Sequence, residues 1–274
     1  IINEMYSTIK LGKTGDDVKL LCNLLGVKER DTFDAELDNT VKGYQKAKGL
    51  DPDGVVGFNT WTALIIDKKE GDSRKVLKED YEIYGKMLGV EPEVLMAVVK
   101  VETGGSSGFL ESGRPKILYE AHYAYNLLKK SGKGGDLEKL LNKYPALISK
   151  VWNKSLYKGG EREWNRLEAA RKYIDEEIAD LSTSWGMFQI MGTNYAKCGC
   201  SGIREFVELM EQSEYSQFVL GIRFIKNTGL VPYLQAKNWA EFARRYNGSG
   251  YKQNSYDTKL KKAYYDFKNA NKTK

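Results

Sequence analysis

One glutamate stands where its position could do chemistry. Glu102 closes the run from Pro92 to Val101, and Thr103-Gly104-Gly105 follows at once. Proline suits a first helical turn and a glycine pair suits a helix stop, so the spacing predicts a helix from Pro92 to about Glu102. The residues between are nearly all apolar, which predicts burial. A carboxyl group then sits in the last turn of a core helix, at the mouth of a Gly/Ser-rich loop at 104–108. Burial and the negative helix end both disfavour its charged form and raise its pKa. That is how a glutamic acid stays protonated near neutral pH to serve as a general acid. The competing reading is a surface glutamate at a fraying helix end.

The remaining residue types narrow the chemistry. His122 is the single histidine in 274 residues. Zinc hydrolases usually need more, and no nucleophile–base arrangement surrounds Tyr119-Glu120-Ala121-His122-Tyr123. The three cysteines, Cys22, Cys198 and Cys200, form no disulfide framework and suggest synthesis in a reducing compartment. No metal or cofactor is expected, and carboxylate chemistry remains. At 41% hydrophobic and 29% charged, the composition is that of a globular protein with an ordinary core. No apolar run approaches the roughly 20 residues of a membrane span, and no signal-peptide pattern opens the sequence. Residues 1–69 carry 10 lysines and arginines against 11 aspartates and glutamates, so the net +6 belongs to the rest of the chain. That polarity suits an anionic partner: a wall polymer, nucleic acid or a membrane surface. No nucleic-acid module is visible.

The elements that must carry Glu102 fall into two pieces: residues 1–68 and 81–274, joined by a charged linker at 69–80. In the first, Val18, Leu21, Cys22 and Leu25 form one apolar helical stripe. Asp34 can cap a second helix with Leu37, Val41, Tyr44 and Ala47 inward. Asp51-Pro52-Asp53-Gly54 is a turn, and a short third helix runs to Leu64. In the second piece, stripes at Leu167–Leu181 and Tyr215–Ile225 predict helices, the latter stopped at Gly229. Asn238, with Glu241 three residues on, predicts a capping box. The best strands are Lys116–Tyr119 and Gly186–Ile190. The expectation is a mainly α protein: a small three-helix domain followed by a larger helical domain with a minor β element.

Several segments carry family resemblances. Leu11-Gly12 through Val18, Val41 through Leu50, and Asp53-Gly54-Val55-Val56-Gly57-Phe58-Asn59-Thr60-Trp61 resemble the three-helix peptidoglycan-binding domain of bacterial and phage wall hydrolases. Phe58, where the family often has proline, and a compressed stretch at Gly26–Phe33 are departures. Downstream, Val101-Glu102-Thr103-Gly104-Gly105, then Thr183-Ser184-Trp185-Gly186-Met187-Phe188-Gln189-Ile190, then Arg245-Tyr246-Asn247-Gly248 resemble the lysozyme-like superfamily. With Ser112 through His122, Trp152-Asn153 through Tyr157-Lys158-Gly159-Gly160-Glu161, and Cys198-Gly199-Cys200, the second piece resembles the N-acetylmuramidase domain of modular phage endolysins.

The resemblance implies a peptidoglycan hydrolase that cleaves the β-1,4 bond after N-acetylmuramic acid. Glu102 would be the acid. Glu120 would be the second carboxylate, its alternative being a structural partner of Arg114 or a lysine. Gln189, Tyr246 and Asn247 would bind sugar, with Ser184 in the turn and Trp185 either stacked on a sugar or in the core. Asp175, Glu176, Glu177 and Asp180 read as a solvated face. A lytic transglycosylase and a non-catalytic wall binder are the alternative functions. The partner would be peptidoglycan, with no nucleic acid and no membrane insertion, and the protein a monomer. It would accumulate in the host cytoplasm and then act in the wall or periplasm.

Overall fold

The computed structural model describes residues 6–69, 75–133, 135–252 and 254–270. Its helices are α1 (Asp16–Leu25), α2 (Ala35–Ala47), α3 (Phe58–Lys69), α4 (Lys78–Leu88), α5 (Pro92–Thr103), α6 (Ala121–Ser131), α7 (Leu137–Lys143), α8 (Glu161–Tyr173), α9 (Glu176–Leu181), α10 (Ile203–Gln212), α11 (Glu214–Asn227), α12 (Val231–Gln235), α13 (Trp239–Asn247) and α14 (Tyr256–Ala270). Three short strands, β1 (Ile117–Tyr119), β2 (Thr183–Trp185) and β3 (Ile190–Met191), make one antiparallel sheet in the order β1-β2-β3. The mainly helical class with a minor β element is therefore present. The chain divides into two compact units, residues 1–97 with 225–274, and residues 98–224. Of the expected linker at 69–80, residues 70–74 lie outside the described residues, and Lys78 already begins α4.

In the first unit, α1–α3 close over a core of Val18, Leu21, Phe33, Leu37, Val41, Trp61 and Leu64. Burying each large apolar side chain is worth roughly 1.5–3 kcal/mol. The Asp34 carboxylate caps α2 as its position predicts, accepting from Leu37 N–H at 2.8 Å. The buried Gln45 amide holds the Asp51–Gly54 turn: Oε1 accepts from Gly54 N–H at 2.9 Å, and Nε2 donates to the Asp53 carboxylate and the Val55 carbonyl. Gly54 has φ +75°, and a Cβ there would meet Asp38 Oδ1 at 2.2 Å, so glycine is required. The Asn238 cap on α13 forms, with Glu241 N–H donating to it at 3.2 Å. The Glu241 side chain does not close the expected box; it takes Arg244 and Arg245 instead.

Glu91 ties this unit together. Its carboxylate meets Lys237 at 2.6 Å, accepts from the Tyr264 hydroxyl at 2.9 Å, and pairs with Lys268. These contacts, led by Lys237, hold its pKa down at about 2. Glu91→Gln is expected to cost about 1 kcal/mol at pH 7, modest because the site is partly exposed. A depressed pKa gives stability that is present above the ordinary carboxylate range and lost as pH falls toward 2. Urea unfolding from pH 7 downward should therefore show the difference between the two proteins shrinking below about pH 4.5.

In the second unit the sheet register pairs Ile117 with Trp185, Leu118 with Ser184, and Ser184 with Met191. Three expectations are corrected here. Of the strand expected at Gly186–Ile190, residues 186–189 form the turn between β2 and β3, because Gly186 (φ +69°) and Gln189 (φ +46°) adopt left-handed backbone, and Ile190 begins β3. The helix expected across Leu167–Leu181 is broken into α8 and α9 by Asp175, which caps α9 by accepting from Ile178 N–H at 2.9 Å. Nor is the acidic cluster wholly solvated. Asp180 is buried and pairs with Arg171 at 2.7 Å.

Candidate active site

Glu102 lies in the last turn of α5, where the apolar pattern predicts. Val94, Leu95, Ala97 and Val98 are buried along the same helix. The helix stops because Gly104 and Gly105 take positive φ, and Gly105 N–H returns to the Lys100 carbonyl at 3.1 Å. Glu102 is only partly buried as a residue, but its carboxyl is enclosed. Oε1 is shielded from solvent and has no hydrogen-bond partner among the described residues. Desolvation alone raises its pKa to about 8. The group is thus a neutral acid at pH 7, able to give up a proton to an oxygen placed beside it.

A cleft of about 270 Å³ opens onto this carboxyl. Its walls are Glu102 and Thr103, Lys116 and Ile117 leading into β1, and the β2–β3 turn at Gly186, Met187 and Gln189. The structure thus brings two of the three expected segments, those of Glu102 and Gln189, to one cleft. Gln189 is largely occupied by the fold. Nε2 donates to the Gly186 and Lys116 carbonyls at 2.8 and 3.2 Å, and Oε1 accepts from the Ser184 hydroxyl at 3.1 Å. The amide fixes the turn against the β1 entrance, leaving one lone pair of Oε1 for a ligand. Ser184 is buried, and its single hydroxyl proton is shared between Gln189 Oε1 and Leu118 O at 3.4 Å, so it braces the turn. Among the described residues, no group of three His, Cys, Asp or Glu side chains could hold a metal ion.

Two sequence expectations change at this site. Trp185 cannot stack on a sugar: it is 0% exposed, packs edge-on against Trp164 with ring centroids 5.8 Å apart, and donates to Asp180 O at 3.1 Å. Its place in β2, paired with buried Ile117, turns it into the core. Glu120 does not line the Glu102 cleft. It stands just before α6, makes no side-chain cap to that helix, and lines a separate narrow cavity with His122, Tyr157 and Arg166. Its Oε2 accepts from the Tyr157 hydroxyl at 2.6 Å and lies 3.3 Å from His122 Nδ1. β1 carries the chain onward, so Glu120 sits three residues beyond Ile117, up to about 11 Å along the strand. Its alternative partner, Arg114, reaches Glu168 at 3.2 Å instead. Among the described residues lining the cleft, Glu102 is the single carboxylate.

A family profile described as N-acetylmuramidase matches residues 91–268, well over half of the sequence. The chain belongs to the N-acetylmuramidase family. A second profile, for a peptidoglycan binding domain, matches residues 17–64. Among solved structures, the crystal structure of Burkholderia AP3 phage endolysin is 33% identical, covers 96% of this chain and 100% of that one, and has a TM-score of 0.66. No curated protein matches. The chain is a peptidoglycan hydrolase that joins a peptidoglycan-binding domain to a muramidase domain, as modular endolysins do. No helix among the described residues is long and apolar enough to cross a membrane.

Other muramidase residues escaped sequence reasoning. Gln217 on α11 is 0% exposed. Its Oε1 accepts from Met187 N–H at 2.9 Å and Nε2 donates to Met210 O at 2.8 Å, which pins the turn that walls the cleft. Added Cβ atoms at Gly108 or Gly186 would meet this side chain at 2.0 or 2.9 Å. Glu163 on α8 is equally buried and accepts from Arg166 at 2.7 Å, Tyr119 N–H at 3.3 Å, Gly159 N–H at 3.2 Å and Lys158 N–H. It anchors the loop that delivers Gly160 to the cleft. Both look like surface polar residues in sequence; only the backbone donors around them explain their burial. Tyr246 and Asn247 end α13 in the first unit, where Tyr246 stacks between Phe242 and Tyr256 at 5.4 and 6.4 Å.

Proposed function

We propose that Glu102 is the proton donor for hydrolysis of the β-1,4 bond between N-acetylmuramic acid and N-acetylglucosamine. The observation that carries this reading is its carboxyl at the cleft, with Oε1 shielded and without a partner among the described residues, held neutral at pH 7. Protonation of the bridging oxygen lets the sugar leave as charge builds at the adjacent carbon, and water completes the cleavage. In this reading Gln189 and Ser184 shape the wall that receives the sugar, and Tyr246 with Asn247 bind carbohydrate on the strength of their sequence motif. Glu120 holds the Tyr157 segment and does not meet the reacting water. Residues 1–68 hold the enzyme on the wall. The protein acts as a monomer that accumulates in the host cytoplasm, gains the wall after membrane opening, and lyses the cell.

The test is mass spectrometry of purified sacculi digested in H₂¹⁸O. Reducing N-acetylmuramic acid ends carrying one ¹⁸O are expected. Transglycosylation needs only one carboxylate, and among the described residues the cleft wall offers one. Release of 1,6-anhydro ends without solvent oxygen would overturn hydrolysis.

A further inference from the structure

Trp152 is 59% exposed and its neighbour Val151 69% exposed, whereas Trp61, Trp164, Trp185 and Trp239 are all buried. Trp152 and Val151 are adjacent, and a contiguous exposed apolar surface marks a binding site where a single exposed side chain does not. The ring is also held in place. It packs edge-on against Tyr157, with ring centroids 6.3 Å apart. The Tyr157 hydroxyl donates to Glu120 Oε2 at 2.6 Å, beside His122 Nδ1. Asn153 stiffens the segment between them, accepting from Ser155 N–H at 3.0 Å to start a 3₁₀ turn. An exposed indole on a rigid support has its conformational cost met before a ligand arrives.

The location selects the ligand. Gly160 and Ile117 line the Glu102 cleft. Tyr157 lies three residues before Gly160, and Glu120 three residues after Ile117. Each path is at most about 11 Å long, so two chain segments run from the cleft to the Tyr157–Glu120 pair within reach of the next sugars of one strand. Pyranose rings present an apolar C–H face that suits an indole, as flat apolar surfaces suit aromatic rings generally. Exposed Lys154 and Lys158 lie on the same segment and suit the carboxylates carried by muramic acid.

We propose that Trp152, with Tyr157 and Glu120 as positioning residues, is a sugar-stacking platform that extends the cleft along the glycan strand. The proposal rests on the muramidase reading. It gives Glu120 a role that leaves the chemistry to Glu102.

Because every other tryptophan is buried, ligand-induced changes in tryptophan emission report mainly on Trp152. The probe is peptide-free glycan strands of alternating N-acetylglucosamine and N-acetylmuramic acid, titrated into the Glu102→Gln protein so that nothing turns over. A saturable emission change is expected, with an apparent Kd roughly tenfold weaker in the Glu102→Gln/Trp152→Ala protein by calorimetry. In the otherwise wild-type enzyme, Trp152→Ala should raise KM on the same strands roughly tenfold while kcat stays within twofold, and Trp152→Phe should recover much of the loss. Tyr157→Phe should move KM in the same direction. An unaltered Kd and KM in Trp152→Ala would overturn the platform, as would a saturated complex with no emission change. The ¹⁸O product test reads the muramidase assignment separately, so the two can fail independently.

Discussion

Glu102→Gln is expected to lower turnover of purified sacculi by about 10²–10⁴-fold, the usual worth of a positioned proton donor. Glutamine keeps the size and the apolar surroundings but has no proton to give. The same substitution should make the protein more stable at neutral pH, because burial holds the native carboxyl protonated up to about pH 8. In the unfolded chain this glutamic acid loses its proton near pH 4.5. Between those values the unfolded state binds fewer protons than the folded one, so wild-type stability falls as pH rises. The contribution is full below pH 4.5 and lost by about pH 8. At pH 7 the cost is roughly 1–3 kcal/mol, from about 1.4 kcal/mol per pKa unit discounted for relaxation around the carboxyl. Urea unfolding should show the variant more stable by that amount at pH 7, with the gap closing by pH 4. A variant that still clears sacculi, or a gap that ignores pH, would contradict the assignment of the acid.

Glu163→Ala is expected to cost about 3–5 kcal/mol of stability, the range for breaking a buried ion pair by deleting one member. Arg166 would be left 7% exposed with a buried charge and no carboxylate at 2.7 Å. Its remaining bonds, to the Tyr119 and Ala146 carbonyls, do not neutralise it. Three backbone N–H groups, of Tyr119, Lys158 and Gly159, would lose their acceptor as well. The damage should also reach the active site, because Lys158-Gly159 leads directly to Gly160 in the cleft wall. Denaturant unfolding gives the first effect, and activity measured well below the new midpoint gives the second. Glu163→Gln, which keeps an acceptor for part of the network, should lose less. A loss under about 1 kcal/mol in the alanine variant would show that the network carries little of the fold.

The helix that bears Glu102 was legible because three local rules agree: Pro92 at its start, an apolar run and paired glycines at its end. The same holds for α2 and α13, whose caps Asp34 and Asn238 form as their sequence context predicts. Most of what failed depended on partners distant in sequence, the α8–α9 break being a local exception. The stripe at Leu167–Leu181 keeps helical spacing through a break, so periodicity could not reveal Asp175 as a cap. Trp185 and Gln189 share one motif, yet strand register sends the indole into the core and the left-handed backbone turns the amide back onto the fold. Glu120 matches a family segment, but a three-residue strand carries it into another cavity with Tyr157. Glu163 lies in the strongly polar stretch Glu161-Arg162-Glu163, and nothing local distinguishes the buried carboxylate from its exposed neighbours.

The central claim is that the fold holds Glu102 protonated for transfer to the glycosidic oxygen. Its most direct test is the carboxyl titration of ¹³Cδ-glutamate-labelled protein, with the Glu102 resonance assigned by its absence in Glu102→Gln. A midpoint near pH 8, matched by an alkaline limb in kcat/KM on soluble glycan strands, is predicted. A midpoint at the ordinary 4.5, with activity unaffected by its ionisation, would contradict the account.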